Sequence, residues 1–168
     1  IQGLPPRIHH LWIECCGTDP HHVVQRYIDK AMGDKELRSR TTLTMHKENN
    51  HEYFGIHRVW SLSHRTASRY LLYFHAKGIT RKKFTKNDAR DSMGTQLINT
   101  VIRPWKKVVT IFHDHPLIDK IGYSFSREGW IWYNFWWIRA SYCRQLEEPV
   151  PTENRYYYEE YIARKPRF

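Results

Sequence analysis

The sequence predicts an α/β protein in which a mixed sheet is flanked by helices. Stretches with the length and composition of strands alternate with longer stretches of helical spacing, an order that builds sheets covered by helices. The 168 residues suit one domain with its own core, and 40% of them are hydrophobic. An aromatic content of 15% excludes a disordered basic tail. We therefore expect a single domain over residues 1–168.

The first half of the chain predicts three strands and two helices. Residues 8–14 form an apolar-rich run after two prolines, and residues 41–45 are rich in β-formers. An Asp-Pro pair starts a helical pattern over 19–33, and residues 52–64 place apolar side chains on one helical face. Residues 69–75 (Arg-Tyr-Leu-Leu-Tyr-Phe-His) form a compact apolar run, which is typical of a buried strand in a parallel sheet.

The second half predicts a basic loop followed by mixed elements. Asn87 or Asp88 can cap a long helix, and Pro104 interrupts it because proline cannot continue the hydrogen-bond ladder. We expect helices at 87–102, 105–112, 139–146 and 156–164, and strands at 118–125 and 131–138.

Positive charge is concentrated in one part of the chain. The net charge is +10, yet residues 64–107 hold eleven Lys or Arg and only two acids. Such a balance points to a polyanionic partner: nucleic acid, an acidic membrane or a phosphorylated small molecule. No apolar run approaches the roughly 20 residues that span a bilayer, so we predict no membrane segment. The chain begins at Ile1 without Met, so an upstream anchor is conceivable and localisation stays open between cytoplasm and secretory pathway.

The end of the strongest predicted strand carries candidate phosphate ligands. Ligands of open α/β sheets bind at the carboxyl ends of strands, where His75, Lys77 and Gly78 fall. Lys77 can pair with a phosphate, and Gly78 allows a close backbone approach. Arg81 and Lys82 extend the cationic rim. The alternative is a solvated basic loop.

Residues 130–137 (Trp-Ile-Trp-Tyr-Asn-Phe-Trp-Trp) are the most aromatic segment. Rings at this density can form a stacking surface for sugars or bases, with the Asn134 amide giving directional hydrogen bonds. The alternative is a central strand buried on both faces. In that case Asn134 needs a partner, because an unpaired buried amide costs about 1–3 kcal/mol.

Two further groups are candidates for acid–base or metal chemistry. Glu159 and Glu160 follow aromatic residues, and a carboxylate in such surroundings can act as a general base; a plain surface pair is the alternative. The run 113–115 (His-Asp-His) suits Mn²⁺ or Zn²⁺, but an ordinary polar helix end is the favoured interpretation.

Four motifs in series resemble a family of GT-A-like glycosyltransferases with bacterial, viral and algal members. They are 52–56 (Glu-Tyr-Phe-Gly-Ile), 72–78 (Leu-Tyr-Phe-His-Ala-Lys-Gly), 133–142 (Tyr-Asn-Phe-Trp-Trp-Ile-Arg-Ala-Ser-Tyr) and 155–162 (Arg-Tyr-Tyr-Tyr-Glu-Glu-Tyr-Ile). The family patterns are Glu-Tyr-x-Gly-Ile, Tyr-x-His-(Ser/Thr)-Lys-Gly, Gly-Asn-Phe-Trp-Trp and Arg-Tyr-x-x-Glu. Together the matches span residues 50–163. The resemblance implies a Rossmann-related sheet that lacks its first strand–helix unit here, so the domain is expected to be incomplete at its N-terminus.

The resemblance also implies a reaction: transfer of a sugar from a nucleotide-sugar to an acceptor hydroxyl of a glycan or glycoprotein. The implied roles fall into three groups, namely Glu159 or Glu160 as base; His75, Lys77, Gly78, Arg81 and Lys82 at the donor phosphates; and Asn134, Phe135, Trp136, Trp137 and Arg155 at the acceptor or sugar. Two positions depart from the pattern, Tyr133 for glycine and Ala76 for Ser or Thr. No Asp-x-Asp is present, so Mn²⁺ or Mg²⁺ is an open cofactor and no metal ligand is assigned.

Two alternatives belong to other classes. A nucleic-acid-binding module would combine the basic stretch with stacking aromatics, but the four clustered tryptophans lie outside that stretch, so no nucleic acid is expected. A non-catalytic sugar-binding domain would explain the missing acidic motif.

Overall fold

The computed structural model describes residues 9–32, 35–75, 89–154 and 156–164. Within these ranges the chain is a mixed α/β protein with a two-stranded parallel sheet and a separate three-stranded antiparallel sheet. The strands are β1 (Leu11–Cys16), β2 (Thr41–His46), β3 (Tyr70–Tyr73), β4 (Lys120–Gly122) and β5 (Trp136–Arg139). The α-helices are α1 (His21–Ala31), α2 (Lys35–Ser39), α3 (Tyr53–Arg65), α4 (Ala89–Leu97), α5 (Trp105–Asp114), α6 (Ala140–Cys143) and α7 (Tyr156–Glu160).

The parallel sheet joins β1 and β2 in register from Leu11 opposite Thr41 to Cys16 opposite His46. Parallel neighbours need a crossover connection, and α1 and α2 supply it. One carboxylate then ties this sheet to α3: Glu14 contacts His46 Nε2 at 2.7 Å and Arg58 Nε at 2.6 Å. The carboxyl ends of β1 and β2 are thereby fixed beside the helix that leads into β3.

The second sheet has the order β3–β5–β4, and both pairings are antiparallel. The prediction that residues 69–75 form a strand of a parallel sheet is therefore wrong in its pairing, although the strand itself is present as β3. Leu72 lies opposite Trp137 and Tyr73 opposite Trp136. A run of apolar residues shows burial on both faces, which either pairing direction allows.

The aromatic segment is not one continuous strand as predicted for 131–138. A 3₁₀ turn occupies Trp132–Asn134, and β5 begins only at Trp136. Tyr133 and Asn134 have φ angles of 70° and 51°, the left-handed region that no extended strand accommodates. The turn redirects the chain immediately before β5.

Two apolar clusters cover the two faces of the antiparallel sheet. Trp136 and Ile138 pack with α3, α6 and α7 on one face, while Phe135 and Trp137 pack with α4 and α5 on the other. This alternation follows from the two-residue period of a strand. Helices therefore lie on both faces of this sheet, which confirms the predicted α/β class. The prediction of a single mixed sheet is wrong for the described residues, because their parallel and antiparallel pairings lie in two separate sheets.

The remaining predicted elements are present with changed bounds. The long helix expected at 87–102 is α4 followed by a π-helix over Ile98–Ile102, and its start at 87–88 falls outside the described residues. The strand at 118–125 shortens to β4, and residues 139–146 contain only the short α6. A 3₁₀ turn, Tyr161–Ala163, follows α7. In the part of the chain that the structure describes, no helix combines the length and apolarity needed to cross a membrane.

Candidate functional site

Three polar side chains meet just beyond the Tyr73–Trp136 pair, where β3 ends and β5 begins. Glu52 precedes the first residue of α3, His75 follows β3, and Asn134 closes the 3₁₀ turn. The two oxygens of the Glu52 carboxylate have different partners. Oε1 lies 3.3 Å from His75 Nε2, and Oε2 accepts a hydrogen bond from Asn134 Nδ2.

Asn134 is fully buried and has three partners. Besides Glu52, its Nδ2 lies 3.4 Å from the Tyr158 carbonyl, and its Oδ1 accepts from Trp136 Nε1 at 3.2 Å. These contacts join α3, β5 and α7 through one amide. The requirement that a buried Asn134 be paired is therefore met, and the amide orients the carboxylate of Glu52.

The turn before Asn134 orients the imidazole. His75 Nε2 lies 3.1 Å from the carbonyl oxygen of Tyr133, so one ring nitrogen faces both this carbonyl and Glu52. Both acceptors favour a proton on Nε2. Tyr133 stands where the resembled pattern Gly-Asn-Phe-Trp-Trp has glycine, and its φ of 70° is a conformation that costs a non-glycine residue roughly 1–2 kcal/mol.

A close approach between α3 and β3 sets the position of Glu52. A Cβ added at Gly55 would lie 2.7 Å from Tyr73 Cε2, so only glycine lets the first turn of α3 lie against this ring. Tyr73 is buried, and burial together with the nearby Glu52 carboxylate and Cys16 raises the pKa of its hydroxyl well above the ordinary value. The hydroxyl of Tyr73 thus stays neutral, and the side chain lies buried beneath the site.

The central pair is reachable from solvent. The side chains of Glu52 and His75 are 21% and 23% exposed, in contrast to the fully buried Asn134. Glu52 also lies at the start of α3, where the positive end of the helix dipole stabilises a carboxylate. An ionised acid and an imidazole in contact at an open edge can exchange a proton with a bound molecule.

Exposed rings lie beside this pair. Trp132 and Tyr133 are 42% and 37% exposed, and the Tyr133 ring lies 6.3 Å from that of Tyr123. Trp130 packs edge-on against Trp132, and its buried Nε1 has no hydrogen-bond partner among the described residues. We call Tyr123, Trp130, Trp132 and Tyr133 the aromatic rim.

The rings predicted to contact a sugar lie elsewhere. Phe135, Trp136 and Trp137 are 4%, 1% and 7% exposed and pack the two core clusters, so none presents an open face. Trp136 supports the site through its bond to Asn134. The binding role of these three residues stays a prediction, and the exposed rings of the same segment are those of Trp132 and Tyr133.

The predicted bases lie on a neighbouring helix. Glu159 and Glu160 are half-buried on α7, directly after Tyr158, whose carbonyl contacts Asn134. Their catalytic role stays a prediction. Five other predicted site residues fall outside the described residues: Lys77, Gly78, Arg81, Lys82 and Arg155.

Metal ligands do not cluster in the described ranges. Among these residues, no three His, Cys, Asp or Glu side chains are placed to hold an ion together. His113 Nδ1 contacts the neighbouring Asp114 at 2.9 Å, and both are exposed at the end of α5. A requirement for Mn²⁺ or Mg²⁺ stays a prediction.

Glu52 is the site residue that sequence reasoning did not assign. It begins the Glu-Tyr-Phe-Gly-Ile motif, to which the resemblance assigns no chemical role. The available signal was the motif's glycine, which permits the close approach of α3 to β3. Comparison of the chain with protein-family models, with curated proteins and with solved structures finds no match.

Proposed function

We propose that this protein is a glycosyltransferase that moves a sugar from a nucleotide-sugar donor to an acceptor hydroxyl. The observation that carries the proposal is the meeting of Glu52, His75 and Asn134 at the carboxyl end of β3. The strand continues there into the His-Ala-Lys-Gly segment of the resemblance. A GT-A-like relationship is part of this proposal, supported by the four motifs in series.

The chemistry requires a proton acceptor close to the acceptor hydroxyl. His75, whose protonated Nε2 faces Glu52 and the Tyr133 carbonyl, takes the hydroxyl proton on Nδ1, and the Glu52 carboxylate stabilises the resulting cation. The acceptor oxygen then bonds to the anomeric carbon while the bond from that carbon to the nucleotide diphosphate breaks. Glu159 is the competing candidate base, with Glu160 as its substitute.

The leaving diphosphate needs positive charge. Lys77, Arg81 and Lys82 are proposed to supply it, with Mn²⁺ or Mg²⁺ as the alternative source. Either source of positive charge would act next to His75. The resemblance gives His75 a role in donor binding, and this role is compatible with proton transfer because the leaving group and the acceptor oxygen bond to the same carbon.

The aromatic rim is the proposed acceptor surface. Sugars stack their apolar faces on exposed rings, and the indole of Trp132 and the phenol of Tyr133 offer such faces within two residues of Asn134. A glycan or glycoprotein acceptor fits this surface.

A ligand and turnover screen tests the proposal. The full chain is heated with UDP, GDP and their sugars, with and without Mn²⁺, and release of nucleoside diphosphate is followed in parallel. We expect one nucleotide to raise the melting temperature, since binding at 100 times the dissociation constant adds about 2.7 kcal/mol. Stabilisation by oligonucleotides alone would contradict the proposal and favour nucleic-acid binding.

A non-catalytic sugar-binding domain is the second candidate. The exposed aromatic rim favours it independently of any catalytic group. It predicts that oligosaccharides stabilise the protein while no nucleotide-sugar does. Sugar-dependent stabilisation without any turnover would therefore replace the first proposal by this one.

A further inference from the structure

A second pocket lies at the opposite end of the β3–β5 ladder. It has a volume of about 310 Å³, and three arginines and three hydroxyl residues contribute to its wall, namely Arg69, Arg139, Arg144, Thr66, Ser68 and Ser141. Arg69 precedes β3 and His75 follows it, so the pocket lies about 20 Å from the candidate active site at 3.3 Å per strand residue. None of the described residues that line the pocket is an acid.

The backbone of two strands fixes the pocket. The Ala140 amide donates to the Arg69 carbonyl at 2.9 Å, which extends the ladder and holds Arg69 beside the start of α6. Arg139 ends β5 and Arg144 follows α6. Three cations are thus presented by elements that the core holds rigidly, rather than by a loose surface run.

Two of the three guanidinium groups are held by backbone carbonyls. Arg139 Nε donates to Ile118 O at 2.6 Å, and the group lies 4.9 Å from the centre of the Phe112 ring. Arg144 Nη1 donates to Ser63 O at 2.6 Å. Carbonyls and rings carry only partial negative charge, so each group keeps its net charge and part of its five donors.

No carboxylate neutralises these arginines in the described ranges. Arg69, Arg139 and Arg144 are absent from the ion pairs formed there, whereas Arg38, Arg40 and Arg58 each have an acidic partner. Arg69 and Ser141 are exposed, so their guanidinium and hydroxyl groups are accessible from solvent. The pocket therefore combines uncompensated positive charge with hydroxyl donors.

We propose that this pocket binds a phosphate group, either inorganic phosphate or the phosphate of a small monoester. Arg69 and Arg144 would contact the phosphate oxygens, since the planar guanidinium matches an oxyanion with two parallel hydrogen bonds. Arg139 contributes charge from its fixed position, and Ser141 and Ser68 supply hydroxyl groups. The site is separate from the proposed donor site and does not depend on glycosyl transfer.

Calorimetric titration of the full chain with phosphate, pyrophosphate and a sugar 1-phosphate tests the proposal. We expect saturable binding that weakens at least tenfold in Arg69→Gln and Arg144→Gln, because each variant loses charge-assisted hydrogen bonds to the phosphate. Tighter binding of the sugar phosphate than of phosphate identifies a monoester as the ligand; the reverse order identifies the free ion.

Arg127→Gln is the matched control, since Arg127 is exposed on a turn and does not line the pocket. We expect it to bind as the wild type does. Arg69 is exposed, so its variant tests binding with little risk to folding, and thermal unfolding verifies that Arg144→Gln is folded. Absence of saturable binding to the wild type overturns the proposal. An equal loss in Arg127→Gln also overturns it, because it would show unspecific attraction to a basic protein.

Discussion

The two ends of the β3–β5 ladder carry opposite chemistry. At the end where β3 finishes, one carboxylate contacts both an imidazole and an amide. At the other end, three arginines line a pocket whose described lining contains no acid. The first end has groups that can exchange a proton with a ligand. The second end has only positive charge and hydroxyl groups, which can attract an anionic ligand.

The comparison also divides the basic stretch 64–107. The sequence assigns Arg81 and Lys82 of this stretch to a cationic rim beyond His75. Arg65 ends α3 and Arg69 precedes β3, so both lie at the end of the ladder remote from His75. A strand of only a few residues is long enough to place charges that are close in the sequence at different sites.

The largest expected effect separates buried from exposed rings of the aromatic segment. Trp136→Ala should lower the free energy of unfolding by about 3–5 kcal/mol, because it leaves a cavity in the core and removes a hydrogen bond to Asn134. Trp132→Ala, at an exposed ring, should cost less than about 1 kcal/mol but weaken acceptor binding. Urea denaturation measures the free energy of unfolding of both variants. Equal losses of stability would contradict the assignment of Trp132 to an open rim.

The next largest effect concerns a buried thiol, Cys143, which is compared with an exposed one, Cys16. Burial raises the pKa of the Cys143 thiol from 9.0 to about 11, so the folded state favours the protonated form. The unfolded thiol ionises near 9, so the contribution of this thiol to the free energy of unfolding is fully present well below pH 9. That contribution, about 2–3 kcal/mol, is lost as pH rises through 9 and past 11. Cys16, the last residue of β1, is exposed.

Denaturation of the wild type and Cys143→Ala between pH 8 and roughly 11 measures this contribution. The variant should show a smaller loss on alkalinisation, while its packing defect is the same at every pH. Labelling by a thiol reagent at neutral pH should modify Cys16 before Cys143. Identical pH profiles for the two proteins would show that Cys143 is not buried in the folded state.

The smallest effect concerns the left-handed turn. Tyr133→Gly should raise the free energy of unfolding by about 1 kcal/mol, since glycine adopts a φ of 70° without strain. Trp132→Gly, one residue earlier and outside the left-handed region, should be destabilising instead. If Tyr133→Gly lowers stability by as much as Trp132→Gly does, the turn is not strained at Tyr133.

Much of the fold was predictable from local pattern. Apolar spacing located α3 and β3, since one buries a single face and the other both. Pairing was not predictable, because an apolar run does not distinguish a parallel from an antiparallel neighbour. The break of the aromatic segment at Tyr133 was also hidden, since a tyrosine gives no sign of a left-handed conformation that tertiary contacts impose.

The candidate site was predictable only in part. His75 and Asn134 stood out as polar residues at the end and inside of apolar runs. Glu52 did not stand out, because it lies 23 residues before His75 in the chain. Its proximity to His75 and Asn134 depends on how α3 approaches β3. Long-range convergence of this kind is a property of packing at Gly55 rather than of any local pattern.

The most direct test of the proposed active site is donor turnover in Glu52→Gln. The amide keeps the size of the side chain but cannot stabilise a cation on His75, so we expect turnover to fall by about 10²–10⁴-fold while nucleotide binding is retained. Glu128→Gln, at an exposed turn, is the matched control and should be unaffected. Full turnover in Glu52→Gln, with loss in Glu159→Gln instead, would contradict the account and move the base to α7.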